Sequence, residues 1–275
     1  MNRSREEVVR YVSKVDPEAA RRALYRCSYF DHFGEDEQAY GYSAAFNLSQ
    51  SCEEEVVQQL TDLRRQAYEY MHRDGQIAED DFFAAEQNAR LVKNAEEYYR
   101  GMFQNRANTW NLRDRHMAET LGALAAHLER RFAAIKIVVW AHNSHLGNAR
   151  ATERSRYGEW NPGQLVRERY APAVLVGFTT YIGTVTAASE WGGPHETKRV
   201  RPALPHSYEA VFHESGISRL LVTFAGDDRL SREFRTDQLE RAIGVIYRPE
   251  TERISHYFMA LINSMLSFTS MRARQ

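Results

Sequence analysis

The spacing of apolar residues changes near residue 135, and this change limits the folds that are open to the chain. Before residue 135, apolar side chains recur every three to four positions, which is the spacing of amphipathic helices. The pattern predicts two short helices followed by three long ones, at 6–15, 17–26, 51–73, 78–105 and 111–130. After residue 135, the apolar residues come in short β-branched runs, which are typical of buried strands.

The short runs predict a sheet in the second half of the chain. They lie at 135–141, 173–180, 183–187, 220–224 and 242–247. Helical segments at 164–170 and 207–214 separate some of them, and strands that alternate with helices form parallel or mixed sheets. We therefore expect an α/β fold, with a mixed or mainly parallel sheet of about four to five strands in the second half and a long helical arm in the first. The predicted domains are 1–134, mainly helical, and 135–275, an α/β region.

Composition and charge argue against several classes of protein. The net charge is −1 with acidic and basic residues interspersed, so a general nucleic-acid binder is not expected. No apolar run approaches the ~20 residues that span a bilayer, and the N-terminus lacks the apolar core of a signal peptide. Cys27 and Cys52 form neither a CxxC pair nor a disulfide framework. We expect a cytoplasmic protein, with neither nucleic acid nor membrane as a partner.

The segment after the run 135–141 concentrates groups that can carry chemistry. It reads His142-Asn143-Ser144-His145. Ligands gather at the carboxyl ends of strands in open α/β sheets, and imidazoles titrate near neutral pH. One imidazole can act as a general base on water and the other as an acid or oxyanion donor. We take His142 and His145 as candidate catalytic residues and Asn143 as a candidate substrate-binding residue.

Other interpretations of the two histidines stay open. Histidines three residues apart often only form hydrogen bonds within a loop. Two of them can also bind zinc, but no third ligand with the usual spacing is evident, so no metal or other cofactor is expected. The chain has no G-x-S-x-G elbow around its serines, which argues against a serine-hydrolase mechanism.

Arg113 and Asp114 form a second polar cluster, at the start of the third long helix. A carboxylate suits the dipole of a first helical turn and a guanidinium does not, so the arginine is a candidate for binding an anionic or carbonyl group. A surface ion pair is the alternative.

Several segments resemble the erythromycin esterase family, along nearly the whole chain. They are Ala85-Glu-Gln-Asn-Ala-Arg90, Asn94-Ala-Glu-Glu-Tyr-Tyr99, Trp110-Asn-Leu-Arg-Asp-Arg-His-Met117, Val139-Trp-Ala-His-Asn-Ser-His-Leu-Gly147, Asn161-Pro-Gly-Gln-Leu165, Gly183-Thr-Val-Thr-Ala187, Arg199-Val-Arg-Pro202 and Gly244-Val-Ile-Tyr-Arg-Pro249. The resemblance implies hydrolysis of an ester in a small molecule, in the best-known members a macrolactone. It places His142 and His145 in a cleft between an α/β core and a helical arm. It also implies that a histidine activates the attacking water without a metal cofactor.

The sequence departs from the family pattern at its start. Members begin with a strand and a Gly-Glu-x-x-His-Gly type segment, which carries the presumed water-activating histidine, and no such segment occurs here. We therefore expect the chain to match the C-terminal part of a member, and an exposed sheet edge to allow self-association. Two other hypotheses stay open, an inactive homologue or binding module and a metal-dependent hydrolase that uses the histidine pair.

Overall fold

The chain forms two compact units, Met1–Ile137 and Val138–Gln275. The computed structural model describes residues 1–31, 33, 36–46, 48, 51–74, 76–103, 109–170, 173–224, 229, 233–234, 237–260 and 266–270. The boundary between the units lies three residues after the end of the predicted helical domain at 134. Each unit is described separately.

The first unit consists of helices in its described part. They are α1 (Asn2–Val15), α2 (Pro17–Asp31), α3 (Glu37–Ala45), α4 (Glu53–Arg65), α5 (Ala67–Asp74), α6 (Gln76–Met102) and α7 (Thr109–Glu129). Asp16 separates the first two, and its carboxylate accepts a hydrogen bond from the Ala19 N–H at 2.9 Å, while Pro17 occupies the first helical position. This arrangement satisfies one of the open N–H groups at the start of α2, as an N-cap should.

Helix α6 is the centre of the first unit, because α1, α3, α4, α5 and α7 all pack against it. The largest cluster of buried apolar side chains comes from helical stripes three and four residues apart: Val8, Tyr11, Val12, Ala20, Leu60, Leu63, Tyr70, Phe82, Ala85 and Ala89. The predicted helical arm is therefore a packed bundle with its own core. No helix in the described ranges combines the length and the apolar character needed to cross a membrane.

The second unit mixes short helices with short strands. The helices are α8 (Asn143–Leu146), α9 (Pro162–Arg169), α10 (Tyr208–Glu214) and α11 (Glu252–Ser255), with two 3-10 turns at Ala149–Ala151 and Glu153–Tyr157. The strands are β1 (Val176–Thr180), β2 (Gly183–Ala188), β3 (His195–Val200), β4 (Arg219–Val222), β5 (Gln238–Arg241), β6 (Tyr257–Ala260) and β7 (Leu266–Ser270).

The strands form three small sheets in the described part of the unit. One has the order β1-β7-β4, in which β1 is parallel to β7 and β4 antiparallel to it. The others are the antiparallel hairpins β2–β3 and β5–β6. One small core, of Tyr208, Phe212, Val222 and Ala260, packs beneath α10, and a second joins Ala187, Val200 and Tyr247.

The predicted fold class is confirmed in its coarse form, as a mixed helix-and-strand fold. The predicted mixed or mainly parallel sheet of about four to five strands is wrong, since the described strands divide among three sheets of two or three strands and most neighbours are antiparallel. The run 135–141 forms no strand, and two of its large side chains are exposed, Val138 to 89% and Trp140 to 83%. The run 242–247 forms only an isolated parallel bridge, between Ile246 and Ala188, and the adjacent segment Gln238–Arg241 is the strand.

Candidate functional site

The His-Asn-Ser-His segment forms a single helical turn, α8, whose N-cap is His142. The His142 Nδ1 accepts a hydrogen bond from the Ser144 N–H at 3.2 Å and lies 2.9 Å from the Ser144 Oγ. Its Nε2 lies 2.7 Å from the carbonyl oxygen of Ile243, which can only accept, so this nitrogen carries the proton. Both ring nitrogens of His142 therefore hold the turn in place.

The side chain of Asn143 binds the edge of β1. Its Nδ2 donates to the Phe178 carbonyl at 2.6 Å, and its Oδ1 accepts from the Phe178 N–H at 3.1 Å. The carboxamide thus makes the two hydrogen bonds that a neighbouring strand would make at this residue. The interaction fixes α8 beside the three-stranded sheet. Self-association through an exposed sheet edge stays a prediction.

The start of α9 holds α8 from the other side. Asn161 is the N-cap of α9, accepting from the Gln164 N–H at 3.0 Å, and its Nδ2 donates to the Ser144 carbonyl at 2.9 Å. A Cβ on Gly163 would lie closer than 3.0 Å to the carbonyl oxygens of Leu146 and Gly147. Only glycine permits this close approach of the two backbones.

A cavity lies beside this turn, entirely within the second unit. Asn143 and Ser144 form one wall, Gly177 to Thr179 of β1 a second, and the helix α10 with the hairpin β5–β6 a third. The remaining lining residues are Gly147, Asn148, Ala149, Thr152, Arg154 and Asn161. The space that the centres of water molecules can occupy is about 40 Å³. One water needs about 10–15 Å³ by this measure, so the cavity holds a few waters or one functional group of a larger ligand.

Two carboxyl groups line the cavity, those of Glu209 on α10 and Glu240 on β5. Glu209 is fully buried, and its Oε1 accepts from the Thr179 Oγ1–H at 2.6 Å and from the Arg241 N–H at 3.0 Å. Burial, together with the charge of Glu209, raises the pKa of Glu240 to about 8. Titratable groups with such pKa values in a cavity are candidates for a functional site.

Sequence reasoning did not find these two glutamates. They are 31 positions apart, on a short helix and a short polar strand, and α10 packing against β5 brings them into one cavity. One weak signal exists, since Glu209 is followed by the apolar run Ala210-Val-Phe212 in a short predicted helix, where a carboxylate is easily buried.

The remaining predicted site residues lie in two places. His145 is half-buried at the third of the four positions of α8, directly after Ser144, and it is not among the residues that line the cavity. Asp114 is fully buried in α7 of the first unit, and the Arg113 guanidinium stacks on Trp110, 4.8 Å from the ring centroid. The roles of His142, His145, Asn143, Arg113 and Asp114 stay predictions. Within the described ranges, no three metal-binding side chains of the His, Cys, Asp or Glu type come together.

Three solved structures share this fold at low sequence identity. A Bacillus cereus protein aligns with a TM-score of 0.79 and 14% identity, over 99% of this chain and 64% of its own. A succinoglycan biosynthesis protein aligns with a TM-score of 0.71 and 18% identity, over 98% of this chain and 61% of its own. A histidine-to-asparagine mutant of the erythromycin esterase EreC, in its open conformation, aligns with a TM-score of 0.66 and 14% identity, over 98% and 65%.

The chain thus spans less than two thirds of the length of each of these solved chains. The family model described as erythromycin esterase matches residues 1–265, nearly the whole sequence. With a match of that extent, the chain belongs to the erythromycin esterase family.

Proposed function

We propose that this chain is an esterase-like hydrolase, which hydrolyses an ester in a small molecule by histidine-assisted attack of water. The observation that carries the proposal is the position of the His-Asn-Ser-His turn, whose Asn143 and Ser144 form a wall of a cavity that also holds two carboxyl groups. Membership of the erythromycin esterase family supports the same reaction. A macrolactone is one candidate substrate.

The two histidines have different proposed roles. Because both ring nitrogens of His142 are engaged, this residue positions the turn. His145 is the proposed general base, since it follows the cavity-lining Ser144 on the same turn. A base of this kind typically accelerates a reaction by 10²- to 10⁴-fold, roughly, by taking a proton from the attacking water. Arg113 and Asp114 stay proposed as substrate-binding residues.

The test is hydrolysis of 4-nitrophenyl butyrate and of a macrolide by the purified chain. The variant His145→Ala should lose about 100-fold or more in kcat/KM. His195→Ala is the matched control, because His195 is exposed on β3 and lies outside the His-Asn-Ser-His turn. The proposal would be contradicted if both the wild type and His145→Ala hydrolysed these esters no faster than buffer alone.

A second candidate function is a binding module without catalysis. The observation that favours it is that both ring nitrogens of His142 hold the turn and that His145 is not among the residues that line the cavity. The same samples separate the two functions. A binding module would show a rise in Tm with the macrolide and no hydrolysis of either ester, whereas the hydrolase would turn both over.

A further inference from the structure

The carboxylate of Glu209 has one oxygen held by protein donors and one that is not. The Oε1 accepts hydrogen bonds from the Thr179 hydroxyl and from the backbone N–H of Arg241. The Oε2 is buried and has no hydrogen-bond partner among the described residues. A buried carboxylate oxygen is costly to leave unpaired, so this atom calls for a donor inside the cavity.

Glu240 is the other carboxyl group that lines this cavity, and the charge of Glu209 acts on it. It lies next to Arg241 on β5, so the backbone N–H that binds Glu209 and the side chain of Glu240 come from consecutive residues. Two carboxyl groups in one poorly solvated cavity do not both ionise readily at neutral pH. Burial and the charge of Glu209 keep the pKa of Glu240 near 8, so Glu240 carries a proton at pH 7.

The other charged and titratable groups around the cavity do not reverse this balance. Arg154 lines the cavity, but its Nη1 is paired with Glu159 at 2.8 Å. Tyr208 of α10 donates its hydroxyl to the Ala260 carbonyl at 2.9 Å. The guanidinium of Arg241 pairs with Glu252, and Tyr257 of β6 is bound to that same guanidinium.

We propose that Glu209 and Glu240 form a carboxylate–carboxylic acid pair that supplies the cavity with a proton donor for the alkoxy oxygen of an ester. The proposal rests on the proposed hydrolase function. As water adds to the ester carbonyl and the bond to the alkoxy oxygen breaks, the Glu240 carboxyl gives its proton to the departing alkoxide, which leaves as the alcohol. The proton released by the attacking water then returns to Glu240, so the products are one acid and one alcohol. Glu209 acts as a positioning residue.

The first test measures the proton itself and needs no activity. Carbon-13 NMR of protein labelled at the glutamate side-chain carboxyl, recorded from pH 4 to 10, follows each glutamate, and Glu240→Gln identifies the signal of Glu240. We expect that signal to titrate near pH 8 in the wild type. Glu209→Gln should move its midpoint down towards the ordinary value of 4.5, while Glu214→Gln, an exposed position on the same helix, should leave it unchanged. A wild-type midpoint at the ordinary value overturns the proposal even if the Glu209 variant fails to fold.

The second test uses the leaving group. A 4-nitrophenolate departs without a proton, whereas an alkoxide needs one, so loss of the donor should affect alkyl esters selectively. Glu240→Gln should lower kcat/KM about 100-fold for ethyl butyrate and less than about 10-fold for 4-nitrophenyl butyrate. Glu240→Asp, which retains the acid, should recover part of the activity on ethyl butyrate.

The outcomes distinguish the two proposals. An equal loss on both esters overturns the donor role while the hydrolase function stands. A wild type that hydrolyses neither ester overturns the hydrolase function and the donor role with it, and the NMR titration still decides whether the carboxyl pair holds a proton.

Discussion

Replacing Gly163 with alanine tests the contact that fixes the His-Asn-Ser-His turn. The new Cβ would come within 3.0 Å of the carbonyl oxygens of Leu146 and Gly147, which are backbone atoms and cannot turn aside as a side chain can. The start of α9 and the end of α8 must therefore separate, by roughly 1 Å. The same movement would stretch the Asn161 Nδ2 to Ser144 carbonyl hydrogen bond beyond its length of 2.9 Å.

The expected loss in the free energy of unfolding is the sum of three contributions. Forcing extra volume into a packed site costs about 1–3 kcal/mol, and losing one hydrogen bond about 1 kcal/mol. Alanine in place of glycine within a helix returns about 0.5–1 kcal/mol. We therefore expect Gly163→Ala to lower the free energy of unfolding of the second unit by about 2 kcal/mol.

Urea denaturation followed by circular dichroism measures this change, with Gly244→Ala as the matched control. Gly244 has open space around its missing Cβ and no left-handed backbone, so its substitution should be neutral or stabilise by up to about 1 kcal/mol. If Gly163→Ala unfolds at the same urea concentration as Gly244→Ala and the wild type, the close approach of α8 and α9 is not what holds the turn.

Two further predictions concern charged groups. Glu252 and Arg241 form a buried ion pair at 2.8 Å, so Glu252→Gln should lower the free energy of unfolding, measured by urea denaturation, by about 3–5 kcal/mol. The control Glu250→Gln, at an exposed site, should change it by less than about 0.5 kcal/mol. Equal effects of the two substitutions would refute the reasoning. The Ala19 N–H is the main group that lowers the pKa of Asp16 below 3.8. Asp16→Ala should therefore lower the free energy of unfolding by about 1 kcal/mol at pH 7. The difference in stability between the variant and the wild type should shrink as the pH falls through the pKa of Asp16 in the folded state. A constant difference down to pH 2 would contradict the capping role.

The helices of the first unit could be predicted from the sequence because their signal is local. A stripe of apolar residues and a cap such as Asp16 lie within one turn of each other. The predicted helix 51–73 is instead two helices that meet at Gln66. The Tyr70 hydroxyl on the second donates to Asp16 at 3.1 Å, a contact 54 positions away that no local pattern reveals.

The strands were harder to predict because burial decides them, and burial depends on distant partners. His195–Val200 is a polar, mostly exposed strand that exists because it pairs with Gly183–Ala188. Ile135–Ala141 has the composition of a strand, but no described strand pairs with it, and its large side chains stay exposed. The histidines of the candidate site could be located from the sequence, whereas the two cavity carboxylates required the packing of α10 on β5.

A loss of activity in His142→Ala would not show that His142 transfers a proton, because alanine also removes the N-cap of α8 and the bond to Ile243. His142→Asn separates these effects, since asparagine is among the best N-cap residues but is too short to replace imidazole as a base. If His142 only positions the turn, the asparagine variant should recover about 1 kcal/mol of stability and most of the esterase activity that alanine loses. Recovered stability in urea denaturation without recovered activity would mean instead that the imidazole takes part in the reaction.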